Sequence, residues 1–293
     1  MLTNDIKQLP EGSGCYAALL TRQGLMESDL WVHAFAEELW LECPPCAVDK
    51  VLSTLRKHIV SEVVKLDELT ESCGILSLQG PKAGEVMERT LDVSLAGMQP
   101  LEHRSLARNG ASWIVVLRDR TGRGGYDLWL PQPDLADLWR RWTGSEGVRA
   151  AGLRALDLAR IEAGIPWYGT DMDDRTLPME IGLHSAISMK KGCYRGQEIV
   201  ARVIHRGHLD RSLGGIAIDY SMLPSHGAEV RAQGAKIGTV TSAAHSPQLE
   251  KPLALAVLKL PYLEPGTPVE IDYGDGFRPG RVVSLPVKTS TEY

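Results

Sequence analysis

KKGCYRGQEIVARVIHRGHLDRSLGGIAID, residues 190–219, is the stretch at which the sequence changes from helical to strand-like spacing. In its first part, QEIVARVIHRG places apolar residues at helical intervals, whereas LGGIAID is the first of several short strand patterns. Gly and Pro punctuate the strand patterns that follow, and no helical pattern separates them. Such an arrangement is typical of a small antiparallel β-barrel. The sequence therefore predicts an α+β region over residues 1–209 and a C-terminal antiparallel β-barrel over residues 210–293.

The first region carries mixed helix and strand patterns. Residues 16–35 have the period-two alternation of two strands around a turn at Gly24. Residues 47–91 predict a helix, two paired strands (61–69 and 72–80) and a second helix that begins at Pro81. We therefore expect a compact, ferredoxin-like subdomain near residues 43–107.

Composition and charge exclude several classes of protein. The 293 residues carry a formal net charge of −5, so the chain as a whole is not a binder of polyanions. No apolar run reaches the roughly 18 residues that a membrane helix needs, and no secretory signal pattern opens the chain. The five cysteines are an odd number, which favours reduced thiols. We expect a cytoplasmic protein that does not enter a membrane.

Cys193 lies in the most unusual chemical setting of the sequence. We expect it at or just before the N-terminus of a helix, because helical spacing precedes and follows it. The helix dipole and the nearby Lys190, Lys191 and Arg195 would then favour the thiolate. Six Lys or Arg residues between 190 and 211 form a local basic patch suited to an anionic ligand. The alternative, a solvated basic helix beside an inert cysteine, stays open.

Three other motifs favour structural interpretations. CPPC (43–46) has the spacing of a redox pair or half a zinc site, but the sequence provides no second ligand pair nearby. TGRGGY (121–126) is rich in glycine but leads into a strand, so we predict a hairpin turn rather than a phosphate loop. His205 and His208 lack an accompanying carboxylate cluster, and we predict no metal site there.

The octapeptide KGCYRGQE (191–198), followed by VAR and a β-rich tail, closely resembles the signature of YgfZ-type folate-binding proteins. These form one branch of the glycine-cleavage T-protein (aminomethyltransferase) superfamily. Weaker resemblances lie on either side of the signature and extend the likeness from about residue 2 to residue 283. They are the N-terminal hairpin with the segment before it, GYDLWLP (125–131), the segment 160–183 and GTVTSAAHSPQLEKPLALAVL (238–258).

The resemblance implies an α+β body that binds tetrahydrofolate or a derivative, followed by a barrel. Tyr16, Asp29 and Asp127 stand where the superfamily lines its folate site. A carboxylate such as Asp127 can pair with the N–H donors of a pterin ring, and Asp29 can move protons near the reduced ring. The resemblance also assigns a signature loop, whose residues are Lys191, Gly192, Cys193, Tyr194, Gly196, Gln197 and Glu198.

Departures from the T-protein pattern decide between two functions. Ser28-Asp29 stands where T-proteins usually carry two aspartates, and Leu156 replaces an arginine. T-proteins also lack Lys191-Gly192-Cys193. These departures favour the YgfZ branch, whose members support iron–sulfur cluster assembly or repair in client enzymes, including tRNA-modifying ones.

On this hypothesis the chain's partners are iron–sulfur client or assembly proteins. Cys193 is then the reactive or cluster-facing thiol. Lys191 and Arg195 lower its pKa, while Gln197 and Glu198 fix the loop and the helix start.

The alternative function is a folate-dependent aminomethyl or methyl transferase, with Asp29 as its catalytic carboxylate. A third class, an RNA-binding module, would use the basic patch, but the patch lacks interleaved exposed aromatic residues apart from Tyr194. Direct nucleic-acid binding is therefore not expected. Members of the family carry several dozen residues before the segment LTNDI, so we also expect a truncated N-terminus.

Overall fold

The computed structural model describes residues 1–60, 63–108, 110–145, 147–207 and 209–287, without the side chains of Ser145, His205 and Arg206. By internal contacts the chain divides into two compact units. The sheet unit comprises Asp5–Tyr16 and Leu30–Gly152. The hairpin–barrel unit comprises Met1–Asn4, Ala17–Asp29 and the chain from Leu153 onward.

Within the described residues the chain forms thirteen β-strands and five α-helices. The strands are β1 (Gly14–Leu20), β2 (Met26–Ala34), β3 (Leu39–Glu42), β4 (Cys73–Gln79), β5 (His103–Arg108), β6 (Ala111–Leu117), β7 (Gly125–Pro131), β8 (Arg211–Ile218), β9 (Glu229–Ala232), β10 (Ala235–Ser246), β11 (Lys251–Lys259), β12 (Pro268–Asp272) and β13 (Phe277–Val283). The helices are α1 (Val48–His58), α2 (Ala83–Leu91), α3 (Gln132–Ser145), α4 (Leu153–Ala163) and α5 (Gln197–Arg206).

The sheet unit is built on a four-stranded antiparallel sheet with the order β4-β7-β6-β5. Alternate residues of these strands, such as Leu128 and Leu130, are buried in one core with apolar residues of α2 and α3, such as Met87 and Trp142. Asp127 directly precedes Leu128 and lies on the other face of β7, paired with Ser77 of β4 and with Val116 of β6. Because successive side chains of a strand point to opposite faces, the apolar core and the candidate site lie on opposite faces of this sheet.

The hairpin–barrel unit contains a closed antiparallel barrel with the strand order β10-β11-β8-β13-β12-β9. Its interior is filled by small and branched apolar residues, among them Ile216, Val230 and Ile271. Helix α4 packs on the outside of the barrel, where Ile161 contacts Leu253 and Leu255. The predicted fold class, a T-protein-like α+β body with a C-terminal antiparallel barrel, is confirmed.

Arg160 holds helix α4 to the barrel through a buried polar network. Its guanidinium donates to Asp157 on the same helix, to Asp171, and to Ser242 on β10, and the arginine side chain is fully buried. Asp171 also accepts from the hydroxyl of Thr241. A buried charge of this kind is tolerated only when paired and fully hydrogen-bonded, and that condition is met here.

The predicted N-terminal hairpin is confirmed as β1 and β2. The turn between them is closed by the backbone N–H of Thr21 donating to Leu25 and that of Gly24 donating to Thr21. Gly24 has a φ of +78°, which glycine adopts without strain. This turn matters because it approaches the signature loop within the same unit.

Two local predictions are wrong. Residues 63–69, predicted as a strand, have no regular secondary structure, and β4 pairs instead with β7; residues 61–62 lie outside the described part. Residues 180–192, predicted to be helical, contain short 3-10 turns at Pro178–Ile181 and His184–Ala186. The first turn ends because Gly182 takes a left-handed conformation, with φ of +75°. In the described residues, none of the helices combines the length and apolar character needed to cross a membrane.

Candidate functional site

The signature loop, within residues 191–198, is anchored by Lys191. Its ammonium group donates to the backbone carbonyl oxygens of Leu2 at 2.6 Å and of Asn4 at 2.9 Å. The same group lies 5.6 Å from the centroid of the Tyr194 ring. Within the hairpin–barrel unit, Lys191 therefore ties the loop to the first residues of the chain.

The second half of the loop is fixed against the β1–β2 hairpin. Arg195 pairs with Glu27 on β2, with Nη2 3.0 Å from Oε1 and Nη1 3.2 Å from Oε2. Gln197 accepts a hydrogen bond from the backbone N–H of Tyr194 through its side-chain oxygen, at 3.3 Å. Asp29 lies two residues beyond Glu27 on the same strand, with only 2% of its surface exposed.

Cys193 is an exposed thiol on this loop. Cys193 lies just before a helix rather than at its N-terminus, because α5 begins at Gln197 with Gly196 as its left-handed N-cap. Two of the three cations expected to act on the thiol have other acceptors: Lys191 binds backbone carbonyls and Arg195 binds Glu27. A catalytic or cluster-binding role for Cys193 remains a prediction.

The basic patch around the loop is partly neutralised. Lys191 and Arg195 are engaged as described, and Arg211 donates to Glu180 from Nε at 2.7 Å and from Nη2 at 3.1 Å. The side chains of Arg206 and His205, and the whole of His208, lie outside the described residues. The six cations counted in the sequence therefore do not all face solvent as a binding surface.

In the sheet unit, Tyr16 forms part of a stack of flat groups. Its ring lies 4.7 Å from that of Trp31, at an interplanar angle of 24°. The guanidinium carbon of Arg118 lies 3.7 Å from the centroid of the same Trp31 ring. Stacking of this kind holds an aromatic side chain in one orientation and suits a site for a planar ligand.

A network of four charges continues from this stack to Asp127. Arg118 donates to one carboxylate oxygen of Glu42 at 2.8 Å, and Arg120 donates to the other at 2.8 Å. Arg120 also binds Asp127, with Nε 3.0 Å from each carboxylate oxygen and Nη2 2.6 Å from Oδ2. We call these residues, with Tyr16 and Trp31, the Tyr16–Asp127 cluster. It joins two of the residues predicted to bind folate.

The charges of this cluster stabilise one another. Burial alone would raise the pKa of Glu42, yet the guanidinium groups of Arg118 and Arg120 hold that pKa below its usual range. Burial also opposes the charge on Arg120, but Asp127 and Glu42 raise the pKa of its guanidinium. Because two cations face two anions, the network is neutral as a whole.

Asp127 does not face solvent in this arrangement. Its surface is fully buried, and both carboxylate oxygens accept from Arg120. The sequence assigns the Asp127 carboxylate to ligand binding. A ligand with N–H donors would therefore find this carboxylate already bound by Arg120.

The turn that carries Arg120 is held by Asp119. The Asp119 carboxylate accepts from the backbone N–H groups of four residues: Thr121, Gly122, Arg123 and Gly124. Partial burial would raise the pKa of Asp119, but these four donors hold it below its usual range. The predicted hairpin turn at TGRGGY is confirmed, since it joins β6 directly to β7.

Four members of the cluster were not predicted from the sequence: Trp31, Glu42, Arg118 and Arg120. One signal was present. Arg118 and Arg120 alternate just before a glycine-rich turn, so both point to one face of the hairpin that also presents Asp127. Glu42 carried no comparable signal.

The described part of the hairpin–barrel unit includes cavities of two kinds. The first, of about 430 Å³, has charged residues in its wall, including the two ion pairs Asp173–Arg175 and Glu180–Arg211. The second, of about 330 Å³, is apolar and is lined by Met179, His184, Ile187, Met189, Val203, Ile204, Gly207 and Leu209. Arg211 of the predicted basic patch lies in the wall of the first cavity, and neither wall includes Tyr16, Asp29, Asp127 or Cys193.

The described residues contain no group of three or more His, Cys, Asp or Glu side chains arranged to hold a metal ion. Cys43 and Cys46 are not joined in a disulfide, and Pro45 opens a short 3-10 turn that leads into α1. The structural interpretation of CPPC as a helix entry agrees with this geometry.

Comparison with known proteins identifies the family. Residues 1–191 match the GCVT N-terminal domain, and residues 211–288 match the glycine cleavage T-protein C-terminal barrel domain. The chain is 31% identical over 292 residues to an aminomethyltransferase of Bacillus licheniformis, covering 98% of this chain and 80% of that protein. It is 31% identical over 293 residues to an aminomethyltransferase of Chlorobium phaeovibrioides, covering 97% and 79%.

A solved structure supports the fold. The crystal structure of glycine cleavage system aminomethyltransferase T from Bartonella henselae matches with a TM-score of 0.85 at 24% identity, covering 97% of this chain and 78% of that one. With both domain models matched in order along the sequence, the chain belongs to the glycine cleavage T-protein family.

Proposed function

We propose that this chain binds tetrahydrofolate or a derivative and transfers an aminomethyl or methyl unit to or from it. The observation that carries the proposal is the likeness, over 97–98% of the chain, to proteins named aminomethyltransferase. This favours transfer over the accessory function in iron–sulfur assembly, for which the relatives give no support.

The residues of the sheet unit fit a reduced folate. Tyr16, stacked on Trp31, offers an aromatic surface to a planar ring, and the carboxylate of Asp127, which Arg120 binds in this structure, would pair with ring N–H donors. Bound folate would supply N5 and N10 as the two nitrogens that accept the carbon. Their two protons would leave with the two groups that the carbon loses, one with the amine as ammonia and one with the carrier group of the donor.

Asp29 is the residue we assign to proton movement. It is a carboxylate with 2% of its surface exposed, on the strand that also carries Glu27. A carboxylate can take up or release a proton at a reacting amine, so a buried one on this strand suits a general acid or base. Ser28, where T-proteins carry a second aspartate, donates its hydroxyl to the backbone carbonyl of Asp29 and adds no charge.

The test is formation of 5,10-methylenetetrahydrofolate from tetrahydrofolate and an aminomethyl donor. We expect turnover by the unaltered chain and a loss of at least about a hundredfold in Asp29→Asn, the range that a general acid or base contributes. Asp137→Asn is the matched control, because Asp137 is exposed and pairs with Arg140 along α3. Absence of turnover in the unaltered chain would reject the transferase function.

A second function is favoured by one observation, the exposed Cys193 within the KGCYRGQE loop. On that hypothesis the chain is a folate-dependent accessory of iron–sulfur client or assembly proteins. It predicts that the chain restores iron–sulfur enzyme activity in cells lacking their own YgfZ-type protein, and that Cys193→Ala does not. Rescue by both forms would make the cysteine structural.

A further inference from the structure

We propose that Arg120 is an internal competitor for the ligand carboxylate Asp127, and that it selects ligands with two parallel N–H donors. The inference rests on the proposed folate function and deepens it. Arg120 thereby acts through Asp127 and is a positioning residue rather than a catalytic one.

Arg120 binds the carboxylate of Asp127 in the way that a ligand with two N–H donors would bind it. Arg120 reaches both oxygens of Asp127 from Nε at 3.0 Å and reaches Oδ2 from Nη2 at 2.6 Å. A guanidinium presents two parallel N–H donors to a carboxylate, in the fork geometry that gives such pairs their specificity. The 2-amino-4-oxopyrimidine edge of a pterin presents donors in the same pattern. Arg120 therefore occupies the place that this edge would take on Asp127.

Arg120 has a second acceptor that allows it to leave Asp127 without losing all its partners. Its Nη2 lies 2.8 Å from Oε1 of Glu42, whose other oxygen is held by Arg118. The side chain of Arg120 is 24% exposed, whereas that of Arg118 is 5% exposed and stacks on Trp31. Of the two arginines, Arg120 is the one with room to move.

The backbone beneath Arg120 is fixed, so the change is confined to its side chain. The carboxylate of Asp119 binds four successive backbone N–H groups of the following turn. Release of Asp127 then requires a rotation of the Arg120 side chain toward Glu42. A ring edge with an acceptor in place of one donor could not replace Arg120, because it would leave a buried carboxylate oxygen without a partner.

The inference predicts opposite effects for two substitutions. Arg120→Gln removes the competitor, so a pterin-containing ligand should bind about tenfold more tightly. Glu42→Gln removes the charge that receives Arg120, so the arginine stays on Asp127 and the same ligand should bind about tenfold more weakly. A merely structural role of the network would weaken binding in both variants.

The experiment is isothermal titration of the full chain with two probes. One is 5-formyltetrahydrofolate, and the other is p-aminobenzoylglutamate, which lacks the pterin ring and should bind equally to all variants. Arg120→Lys, which keeps the charge but loses the fork, should bind 5-formyltetrahydrofolate with intermediate affinity; it replaces Arg120→Gln if circular dichroism shows that the latter does not fold.

Tighter binding of 5-formyltetrahydrofolate by Arg120→Gln, weaker binding by Glu42→Gln and unchanged binding of the second probe would support the inference. Weaker binding by Arg120→Gln, or equal shifts for both probes, would overturn it while the folate function stands. If no form of the chain, the unaltered one included, binds 5-formyltetrahydrofolate, the proposed function fails and the inference fails with it.

Discussion

A β-carbon placed on Gly196 would stand 2.8 Å from the α-carbon of Gly24 and 2.6 Å from the carbonyl oxygen of Thr21. The turn of the β1–β2 hairpin and the start of helix α5 therefore meet backbone to backbone. Gly196 also has a φ of +81°, a conformation that costs other residues about 1–2 kcal/mol. Glycine is required at this contact for both reasons.

Gly196→Ala should consequently lower the free energy of unfolding by about 2–4 kcal/mol, the sum of backbone strain and displaced backbone contacts. Gly192→Ala is the matched control in the same loop, because nothing lies within 4 Å of its added β-carbon and its φ is not positive. We expect it to change stability by less than about 1 kcal/mol. Equal effects of the two substitutions in urea unfolding would contradict this account of the contact.

Lys191 should contribute to stability through the N-terminal segment. Lys191→Met removes two hydrogen bonds from an ammonium to the carbonyls of Leu2 and Asn4, and should cost about 1–3 kcal/mol. Hydrogen exchange should also become faster in residues 1–4. The neighbouring Lys190 is exposed, so Lys190→Met should change the free energy of unfolding by less than about 0.5 kcal/mol. It should leave hydrogen exchange in residues 1–4 unchanged.

His33 makes the stability of the chain depend on pH. Burial, and then the nearby His103, lower the pKa of His33 to about 3. Between that value and the ordinary pKa of about 6.5, the unfolded chain binds a proton that the folded chain does not. The free energy of unfolding should therefore fall as pH falls, and the contribution of His33 alone is about 2 kcal/mol between pH 6.5 and pH 5.

The measurement is urea unfolding at both pH values for the unaltered chain and for His33→Gln, which cannot take up this proton. The variant should lose about 2 kcal/mol less over the interval. His184→Gln, at an exposed histidine, is the control and should follow the unaltered chain. Parallel pH dependence of the unaltered chain and His33→Gln would show that His33 is not buried in the neutral form.

Arg160 should be among the most sensitive positions of the hairpin–barrel unit. Arg160→Met leaves Asp171 buried without its cation, and breaking a buried pair in this way costs about 3–5 kcal/mol. Arg140→Met, which breaks an exposed pair on α3, should cost less than about 1 kcal/mol. Urea unfolding of the two variants measures the loss of unfolding free energy in each. Similar losses would contradict the stabilising role assigned to the buried Arg160 network.

Local signals account for what the sequence predicted correctly. The β1–β2 hairpin follows from alternation around Gly24, helix α4 ends at Gly164, and the barrel follows from short strands separated by Gly and Pro. These elements depend on residues close together in the chain. The resemblance of KGCYRGQE and its flanking segments then supplied the family, which no local pattern could.

The site could be predicted only in part, because its contacts are distant in sequence. Arg118 and Arg120 lie 76 and 78 positions from Glu42. The sequence indicated Asp127 but not that Arg120 already occupies its carboxylate. Likewise, the sequence places several cations beside Cys193, but the acceptors of Lys191 and Arg195, which are two carbonyls of residues 2 and 4 and the carboxylate of Glu27, lie more than 160 positions away.

Secondary-structure errors have a similar cause. Residues 63–69 include the apolar residues Val63, Val64, Leu66 and Leu69, on which the strand prediction rested. In the structure β4 pairs with β7 instead, and the segment gains no ladder of hydrogen bonds. Isolated strand propensity does not form a strand without such a neighbour.

The most direct test of the account is the titration of the unaltered chain with tetrahydrofolate under anaerobic conditions, with Asp127→Asn alongside. The account predicts saturable binding by the unaltered chain and at least about tenfold weaker binding by the variant, since a buried, charge-assisted contact is lost. Equal affinities would remove Asp127 from the site, and absence of binding by the unaltered chain would contradict the folate function itself.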